Sequence, residues 1–255
     1  LAQGIVHWAP PPAALQRAVQ IAGDPRASCY GPSEGLPELR EALRQKLRSE
    51  NGVPGAEVMV TAGANQAFVN VVLALLDAGD PCVLFAPYYF NHLMALQMTG
   101  SAAGLRLGPC DAASMLPDLE WLQAQLQGPE PPRMVVLVNP NNPTGALLPQ
   151  GHLERAAELC RRAGAWLVVD NTYEHFVYGG DAHACVGGSH VVNLFSFSKA
   201  FGLMGWRVGY IAYPADAPGL GEQLNKVQDT IPICPTQLSQ HVALACVDAA
   251  PWVAE

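Results

Sequence analysis

Lysine is scarce in this chain, and charge of either sign is low. Charged residues make up 14% of the sequence, and lysine occurs only at Lys46, Lys199 and Lys226. Chemistry that depends on a lysine amine therefore has only three candidate positions. Acidic residues outnumber basic residues by 22 to 14, which gives a formal net charge of −8. Because this charge repels phosphate backbones and anionic lipids, we expect neither nucleic acid nor a membrane as a partner.

Long hydrophobic runs and cysteine pairs are lacking as well. No apolar run reaches the roughly 18 residues that a membrane-spanning helix needs, and no C-x-x-C pair occurs among the seven cysteines. An odd number of scattered cysteines argues against a disulfide framework, so we expect a reducing, cytoplasmic compartment. The chain begins at Leu1 and ends at Glu255, directly after an apolar helical pattern. From these ends we expect a fragment of a longer protein.

Short apolar runs that alternate with helical patterns predict the fold class. Such runs are typical of strands buried on both faces, and their alternation with helices predicts a mostly parallel sheet covered by helices, an α/β fold. Residues 1–30 are predicted to form an arm, because 1–12 are proline-rich and lack a helical period, and 31–255 are predicted to form one large domain. The predicted strands are 58–60, 83–85, 105–107, 134–138, 166–169, 191–195 and 208–212. The predicted helices are 36–48, 64–78, 90–99, 116–127 and 149–163.

Two predicted strands run into loops that suit a phosphate or a flat ring. Ligands of α/β folds bind beyond the carboxyl ends of the strands. After the first strand, Gly63, Ala64 and Asn65 lie in a small-residue loop that leads into a helix and offers backbone N–H groups to a phosphate. An ordinary strand-to-helix turn is the alternative for this loop. Tyr89, in the loop after 83–85, is placed either to stack on a ring or to join the core.

Two further strand ends carry side-chain amides and a carboxylate. Residues 139–145 read Asn-Pro-Asn-Asn-Pro-Thr-Gly and place Asn142 in a rigid polar loop. Asp170 closes an apolar strand, and because a buried Asp is rare without a partner, we expect it to face a cation. Helix capping is the alternative for Asp170. Tyr173 follows three residues later and is placed to reach the same site.

Lys199 is the lysine whose sequence neighbours favour chemistry. Lys46 and Lys226 lie in charged or polar helical stretches and are predicted to be solvated. Lys199 lies between Phe197 and Phe201, and an apolar setting lowers the pKa of a lysine and lets its amine act as a nucleophile. The phosphate-binding side chains near it in the sequence are Ser196, Ser198 and Arg207.

One cofactor needs all of these groups together. Its phosphate needs the 63–65 loop with the serines and the arginine, and its pyridine nitrogen needs a carboxylate such as Asp170. Its phenolic oxygen needs donors such as Asn142 and Tyr173, and its aldehyde needs Lys199. Pyridoxal phosphate has these four features, and the sequence therefore predicts a site for it.

Other site chemistries fit the sequence less well. His183, Cys185 and His190 lack the spacing of a zinc site, so we expect no metal ion. No G-x-G-x-x-G motif follows a strand and no nucleophile elbow surrounds a serine, which disfavours a nicotinamide dehydrogenase and a serine hydrolase.

The order of these motifs resembles the class I/II aminotransferases, which are pyridoxal-phosphate enzymes of fold type I. The motifs are Tyr30-Gly-Pro-Ser-Glu-Gly-Leu-Pro-Glu-Leu-Arg40, Asn139-Pro-Asn-Asn-Pro-Thr-Gly145, Asp170-x-x-Tyr173 and Ser196-x-Ser-Lys199, with Arg207 eight residues on. The resemblance implies a three-layer αβα large domain with a mostly parallel seven-stranded sheet, and a C-terminal small domain that is missing from this chain. Phrases such as Pro87-Tyr-Tyr-Phe-Asn look closest to a plant-type cytosolic aminotransferase of methionine and aromatic amino acids.

The resemblance also implies a role for each candidate site residue. Lys199 forms the internal aldimine and moves a proton, while Asp170 pairs with the pyridine nitrogen and has His92 behind it. Tyr30 reaches the phosphate of a neighbouring subunit, which implies a homodimer with shared active sites. The other implied contacts are Gly63, Ala64, Asn65, Ser196, Ser198 and Arg207 at the phosphate, Tyr89 at the ring, Asn142 and Tyr173 at the phenolic oxygen, and Gly4 and Asn142 at the substrate.

The implied reaction is a ping-pong transfer of an amino group from an L-amino acid, aromatic or methionine favoured, to a 2-oxo acid. A carbon–sulfur lyase or an aminocyclopropane-carboxylate-synthase-like enzyme would use the same lysine and ring. A non-catalytic, truncated cofactor-binding chain is the third alternative. The family binds the substrate carboxylate with an arginine of its C-terminal domain, and no arginine follows Arg207 in this sequence.

Overall fold

Seven strands form one sheet in the computed structural model, which describes residues 4–249. They are β1 (Ala56–Thr61), β2 (Cys82–Ala86), β3 (Leu105–Pro109), β4 (Met134–Val138), β5 (Trp166–Asp170), β6 (Val191–Ser196) and β7 (Gly209–Pro214). Their order across the sheet is β1-β7-β6-β5-β4-β2-β3. Strand β7 runs antiparallel to both of its neighbours, and the other strand pairs are parallel. The predicted mostly parallel, seven-stranded α/β sheet is confirmed.

Helices cover both faces of the sheet and make the fold three-layered. Within residues 4–249 they are α1 (Pro12–Ala22), α2 (Pro37–Ser49), α3 (Ala64–Leu75), α4 (Phe90–Thr99), α5 (Leu119–Leu126), α6 (Gln150–Ala163), α7 (Leu220–Thr230) and α8 (Gln237–Asp248). Helices α3, α4 and α7 pack on one face. Helices α5 and α6 pack on the other face, where α1, α2 and α8 form a second cluster beside them.

The apolar run of β4 shows why the strands lack polar alternation. Met134 and Val136 point to the face covered by α3 and α4, whereas Val135 and Leu137 point to the face covered by α5 and α6. Since successive side chains of a strand alternate between faces, a strand covered on both faces buries every residue. Strands β2, β4, β5 and β6 therefore fill the centre of the sheet and bring their carboxyl ends to one edge.

Helix α1 was not predicted. It lies inside residues 1–30, the segment predicted to be an arm, and it buries Ala14 and Ile21. Its first residue is Pro12, and proline suits a first helical turn because its fixed φ is already helical and its missing N–H has no partner there. The boundary between arm and domain at residue 30 stays a prediction. Residues 1–3 of that arm and 250–255 of that domain lie outside the described residues.

No helix within residues 4–249 has both the length and the apolar character needed to cross a membrane.

Candidate active site

Asp170, the last residue of β5, is buried with both carboxylate oxygens hydrogen-bonded. Its Oδ2 lies 3.0 Å from His92 Nε2. Its Oδ1 accepts hydrogen bonds from the Thr172 backbone N–H at 3.0 Å and the Thr172 hydroxyl at 2.7 Å. Burial acts to raise the pKa of Asp170, but the bonds and charge of His92 and the Thr172 donors outweigh it and lower the pKa. In the described part of the chain no lysine or arginine pairs with this carboxylate.

Aromatic rings stand beside the Asp170–His92 pair. The His92 ring packs against Phe68 with centroids 4.2 Å apart and meets Tyr89 edge-on at 5.2 Å. The Tyr89 hydroxyl accepts a hydrogen bond from the Asn91 amide at 2.8 Å and lies 3.4 Å from Asn65 Oδ1. Tyr89 is half-buried, so part of its side chain is accessible to solvent.

Tyr173 lies between the carboxylate and the asparagine loop. The Asn142 side chain lies close enough to its hydroxyl to lower the pKa of Tyr173. Burial raises the pKa of Tyr173, and the nearby Tyr89 and Asp170 raise it further, while the Asn142 side chain acts in the opposite direction. The structure therefore brings Asp170, Tyr173, Asn142 and Tyr89 together at one edge of the sheet.

Lys199 points at the same place from the loop after β6. Its Nζ donates a hydrogen bond to the carbonyl oxygen of Gly4. A Cβ added at Gly4 would lie 2.9 Å from Lys199 Nζ and 3.6 Å from the Tyr173 hydroxyl, so these two groups are close to each other. Burial lowers the pKa of Lys199, and the charge of Arg207 lowers it further. A lowered pKa increases the neutral, nucleophilic fraction of the amine.

Arg207 and the start of α3 form an anion cup. The guanidinium donates to the carbonyl oxygens of Met204 at 3.0 Å and Ala62 at 3.2 Å. Among the described residues no carboxylate pairs with it, so it keeps donors and charge for a ligand. Gly63, with a φ of +86°, caps α3, and a side chain there would collide with the guanidinium. Backbone N–H groups at a helix N-terminus favour a phosphate at this point.

Two serines complete the loop between β6 and Lys199. Ser196 Oγ accepts a hydrogen bond from the Ser198 backbone N–H at 3.1 Å, and Ser198 is buried. Gly209, at the start of β7, lies directly beneath the cup, where a Cβ would come within 2.7 Å of the Ala64 nitrogen. The close approach of these backbones sets the position of the cup.

The N-terminal segment holds the lysine loop, a contact that the sequence analysis missed. Trp8 Nε1 donates to the carbonyl oxygen of Ala200 at 3.0 Å, and the Trp8 ring stacks on Phe176 at 6.1 Å. Gly202 has a φ of +64°, and a Cβ there would lie 3.1 Å from the Trp8 carbonyl oxygen. Trp8 therefore fixes the segment that places Gly4 against Lys199.

Lys46 was predicted to be solvated, and that prediction is wrong. Its side chain is 6% exposed, and its Nζ lies 2.8 Å from Glu174 Oε2. Lys226 follows the prediction, since it is exposed and pairs with Glu222 across one turn of α7. The chain thus has one buried ion-paired lysine, one half-buried lysine at the site and one surface lysine.

Tyr30 and the histidine–cysteine segment lie apart from these contacts. Tyr30 is 78% exposed, and its reach toward a neighbouring subunit stays a prediction. His183 Nδ1 lies 3.8 Å from Cys185 Sγ, and His190 Nε2 contacts the Ala157 carbonyl oxygen at 2.8 Å. Within residues 4–249 no group of three His, Cys, Asp or Glu side chains is arranged to hold a metal ion.

The arrangement combines an amine nucleophile, a carboxylate and an anion cup at one sheet edge. Lys199 supplies the amine, Asp170 the carboxylate, and Arg207 with Gly63 the cup. A ligand with a phosphate at one end and a cationic ring nitrogen at the other would satisfy the unpaired guanidinium and the buried carboxylate. The fit is therefore good for a phosphorylated pyridine aldehyde.

Comparison with known sequences places this chain in a family. The family described as aminotransferase class I and II matches residues 1–255. An aromatic aminotransferase of Arabidopsis thaliana is 52% identical over 257 residues, which cover 100% of this chain. An aspartate/prephenate aminotransferase of Thermus thermophilus is 36% identical over 193 residues, which cover 73% of this chain and 49% of that protein. The chain belongs to the class I and II aminotransferase family, whose members use pyridoxal phosphate.

Solved structures of this family have the same fold. Aspartate aminotransferase from Thermus thermophilus with maleate superposes with a TM-score of 0.89 at 29% identity, covering 98% of this chain and 65% of that one. An aromatic aminotransferase from Pyrococcus horikoshii superposes with a TM-score of 0.87 at 28% identity, covering 98% of this chain and 68% of that one. The chain spans 65% of the length of the Arabidopsis relative.

Proposed function

We propose that this chain carries the cofactor site of a pyridoxal-phosphate aminotransferase that moves an amino group from an L-amino acid to a 2-oxo acid. The observation that carries the proposal is the placement of Lys199 Nζ beside Tyr173 and Gly4, between a buried carboxylate and an unpaired guanidinium. The matching relatives are named as aminotransferases, and no observation favours the carbon–sulfur lyase or the cyclopropane-forming alternative.

Each end of pyridoxal phosphate has a matching group in this chain. Arg207, with the N-terminal amides of α3 and the serines at 196 and 198, would hold the phosphate. Asp170 would pair with the pyridine N–H, and its lowered pKa keeps it ionised for that contact. Tyr89 would stack on the ring, and Tyr173 and Asn142 would donate hydrogen bonds to the phenolic oxygen. Bound pyridoxal phosphate supplies an aldehyde for amine exchange and a ring that accepts electrons from the substrate Cα.

Lys199 then has two tasks that its surroundings support. Its lowered pKa makes the neutral amine available as a nucleophile toward the cofactor aldehyde. With the substrate amine in place, a free Lys199 Nζ would be a base within the same pocket, able to take the proton from the substrate Cα and to pass it to C4′ of the cofactor. Before the phosphate binds, Arg207 favours the neutral form of the Lys199 amine, because an ammonium would face its positive charge.

We infer the amino donor from the names of the relatives. The protein with 52% identity is named an aromatic aminotransferase, and a solved structure with 28% identity is named likewise. These names support an aromatic amino acid as donor. The sequence phrases that resemble a plant-type aminotransferase of methionine and aromatic amino acids make methionine the second donor to test.

A second copy of this chain is the proposed partner. Helix α4 exposes Phe90, Met94 and Met98, which lie four residues apart and form one apolar stripe. Tyr30 is also exposed, as a residue reaching into a neighbouring subunit would be. We propose a homodimer in which Tyr30 completes the phosphate site of the partner.

The proposed compartment is the cytoplasm. The seven cysteines are all free thiols, and four of them are buried, namely Cys82, Cys160, Cys185 and Cys246. Free thiols persist in a reducing compartment.

The half-reaction tests the proposed transfer. The chain loaded with pyridoxal phosphate is mixed with phenylalanine or methionine, and the 2-oxo acid, pyridoxamine phosphate and ammonia are quantified. We expect one 2-oxo acid and one pyridoxamine phosphate per site with no ammonia, and recovery of the aldehyde form on addition of a 2-oxo acid. Release of ammonia or a thiol would show lyase chemistry, and absence of product with intact cofactor binding would show a non-catalytic chain.

A further inference from the structure

A closed hydrogen-bonded triangle lies behind the turn that carries Tyr173. Lys46 Nζ contacts Glu174 Oε2 at 2.8 Å and Asn51 Oδ1 at 3.0 Å. Asn51 Nδ2 donates to the same Glu174 oxygen at 2.8 Å. The side chain of Glu174 is 8% exposed. The three side chains belong to the end of α2, the loop after it and the turn after β5, so they join elements that are distant in sequence.

The turn from Asp170 to Phe176 has one side toward the candidate site, and its opposite side is held by hydrogen bonds to other elements. Its backbone is closed by bonds from Glu174 N–H to the Asn171 carbonyl at 3.0 Å and from Phe176 N–H to the Tyr173 carbonyl at 2.8 Å. The Asn171 side chain donates to Asn193 Oδ1 at 3.0 Å. Asp170 and Tyr173 point forward, whereas Asn171 and Glu174 point back. Glu174 is directly bonded to Tyr173, so its anchoring limits the movement of that ring.

A buried ion pair needs a reason beyond stability. Well-packed apolar side chains of the same size are often as stabilising as a buried ion pair, because desolvation of the charges cancels much of their attraction. Charged and amide groups form directional hydrogen bonds, so each bond of the triangle fixes the position of one side-chain atom relative to another. The group whose position is fixed here is the backbone beside Tyr173.

We propose that Lys46, Asn51 and Glu174 are positioning residues that hold the Tyr173 hydroxyl where it meets the phenolic oxygen of the cofactor, an inference that rests on the proposed function. Lys46 does not touch the site itself and acts through Glu174 and the turn. Loss of the triangle lets Tyr173 withdraw from Asn142 and from the cofactor oxygen. The hydrogen bond from Tyr173 stabilises the ionised phenolic oxygen, so its loss raises the pH at which the bound cofactor changes its absorbance.

The first experiment needs no cofactor. The ionisation of Tyr173 is followed by ultraviolet absorbance in the cofactor-free protein, with Tyr173→Phe identifying its signal. Burial and the nearby Tyr89 and Asp170 raise the pKa of Tyr173. The double variant Lys46→Met/Glu174→Leu leaves no lone buried charge. In this variant we expect the pKa of Tyr173 to fall toward that of an exposed tyrosine. An unchanged Tyr173 ionisation in this folded variant would overturn the proposal, whether or not the cofactor binds.

The second experiment uses the cofactor-loaded protein and a double-mutant cycle. In the Lys46→Met/Glu174→Leu variant we expect the midpoint of the cofactor absorbance titration to rise by about one pH unit, in the same direction as in Tyr173→Phe. In the Tyr173→Phe background the same pair of substitutions should produce no further rise. A full additional rise in that background would show a general structural effect and overturn the proposal.

The experiments include one control variant and one replacement variant. Lys226→Met/Glu222→Leu removes an exposed ion pair of the same charge types on α7, and we expect it to leave both titrations unchanged. Lys46→Met/Glu174→Gln also leaves no lone buried charge and keeps the side-chain size at position 174, and it replaces the first double variant if circular dichroism shows that the latter is unfolded. The two proposals can fail separately. If the double variant shifts the Tyr173 titration but the wild-type protein forms no cofactor adduct, the proposed function is contradicted and the positioning of Tyr173 is supported.

Discussion

Gly63 and Arg207 constrain each other at the scale of single residues. Gly63 has a φ of +86°, which L side chains avoid, and a Cβ there would occupy the space of the guanidinium. Gly55 has a similar φ of +78°, but a Cβ there would meet no atom within 4 Å. Substitution at Gly55 therefore tests backbone strain alone, whereas substitution at Gly63 tests strain together with crowding of the Arg207 guanidinium.

We expect both Gly63→Ala and Gly55→Ala to lower the free energy of unfolding, by about 1–3 kcal/mol each, because both glycines have backbone conformations that L side chains rarely adopt. Only Gly63→Ala should weaken pyridoxal phosphate binding, by about tenfold or more, because it displaces a charged hydrogen-bond donor from the phosphate. Urea unfolding and equilibrium dialysis measure the two effects. Equal cofactor affinities of the two variants would contradict the placement of the phosphate at Arg207.

Glu174 gives a second prediction at this scale, in the pH dependence of stability. Burial acts to raise its pKa, but Lys46 and His175 hold the pKa far below its ordinary value of 4.5. A carboxyl with a lowered pKa in the folded state stabilises the fold above its unfolded pKa, and this contribution is lost as the pH falls through the folded pKa.

We expect Glu174→Gln to be about 3–5 kcal/mol less stable than wild type near neutral pH, because it removes the buried counter-charge of Lys46 and leaves the exposed Glu50 carboxylate, 3.6 Å away, as the remaining anion. The difference should shrink progressively below about pH 4.5. Urea unfolding at a series of pH values down to about pH 3 measures it. A difference that stays constant over this range would show that Glu174 is not ionised in the folded protein.

At the scale of elements, the N-terminal segment and the lysine loop act as one unit. The Val6 N–H contacts Met204 Sδ at 3.4 Å, and Trp8 bonds to the Ala200 carbonyl oxygen. The same segment brings the Gly4 carbonyl to Lys199. The position of the lysine amine therefore depends on a segment that is nearly two hundred residues away in sequence.

We expect Trp8→Ala to speed amide hydrogen exchange in residues 199–204 and to lower stability by about 1–3 kcal/mol through loss of the hydrogen bond and the stacked ring. Trp8→Phe should keep part of the stacking and show a smaller effect. Trp121→Ala, on α5, controls for the loss of an indole elsewhere. Protection of 199–204 that is equal in Trp8→Ala and wild type would refute the coupling.

The elements differ in how readily the sequence predicts them. Most strands were predictable because their apolar runs are local and continuous, whereas β3 has Arg106 between Leu105 and Leu107. Helix α1 was not, because the prolines before it hide a helix whose burial comes from packing against α8. The burial of Lys46 depends on Glu174, 128 residues away, although its spacing after Leu39 and Leu43 already placed it on the buried stripe of α2. Local sequence patterns predict local structure, whereas a buried ion pair can be predicted only when it is known which two residues lie close together in the fold.

The same limit applies to the site. The sequence placed the carboxylate at the end of one predicted strand and the lysine and arginine together in the loop after another, and parallel strands bring such strand ends to one edge. Trp8 lacked any such signal, because no strand end or motif links it to Ala200. Its contact arises from the path of the N-terminal segment across the sheet edge.

At the scale of the whole molecule, the apolar stripe of α4 predicts self-association. Met98 is 77% exposed and lies one turn from Met94 and two from Phe90. Val19, on α1, is 79% exposed and lies on the opposite side of the sheet. Exposed apolar groups that share one helix face are typical of interfaces, and the stripe on α4 is longer than the pair of Leu15 and Val19 that α1 exposes.

We expect the wild-type chain to sediment as a dimer, and Met98→Glu to shift it to a monomer by burying a charge in the interface. Val19→Glu introduces the same charge on another surface and should remain a dimer. Analytical ultracentrifugation at micromolar concentrations distinguishes the species. A dimer that persists in Met98→Glu, with unchanged affinity, would contradict the assignment of α4 to the interface.

The identity of the lysine that binds the cofactor is the central claim, and trapping it is the most direct test. The chain is incubated with pyridoxal phosphate, reduced with borohydride, digested and mapped by mass spectrometry, with Lys199→Ala and Lys226→Ala in parallel. We expect a pyridoxyl group on Lys199 in wild type and Lys226→Ala, and none in Lys199→Ala. An adduct on Lys46 or Lys226, or one that survives in Lys199→Ala, would contradict the assignment of Lys199 as the lysine that binds the cofactor.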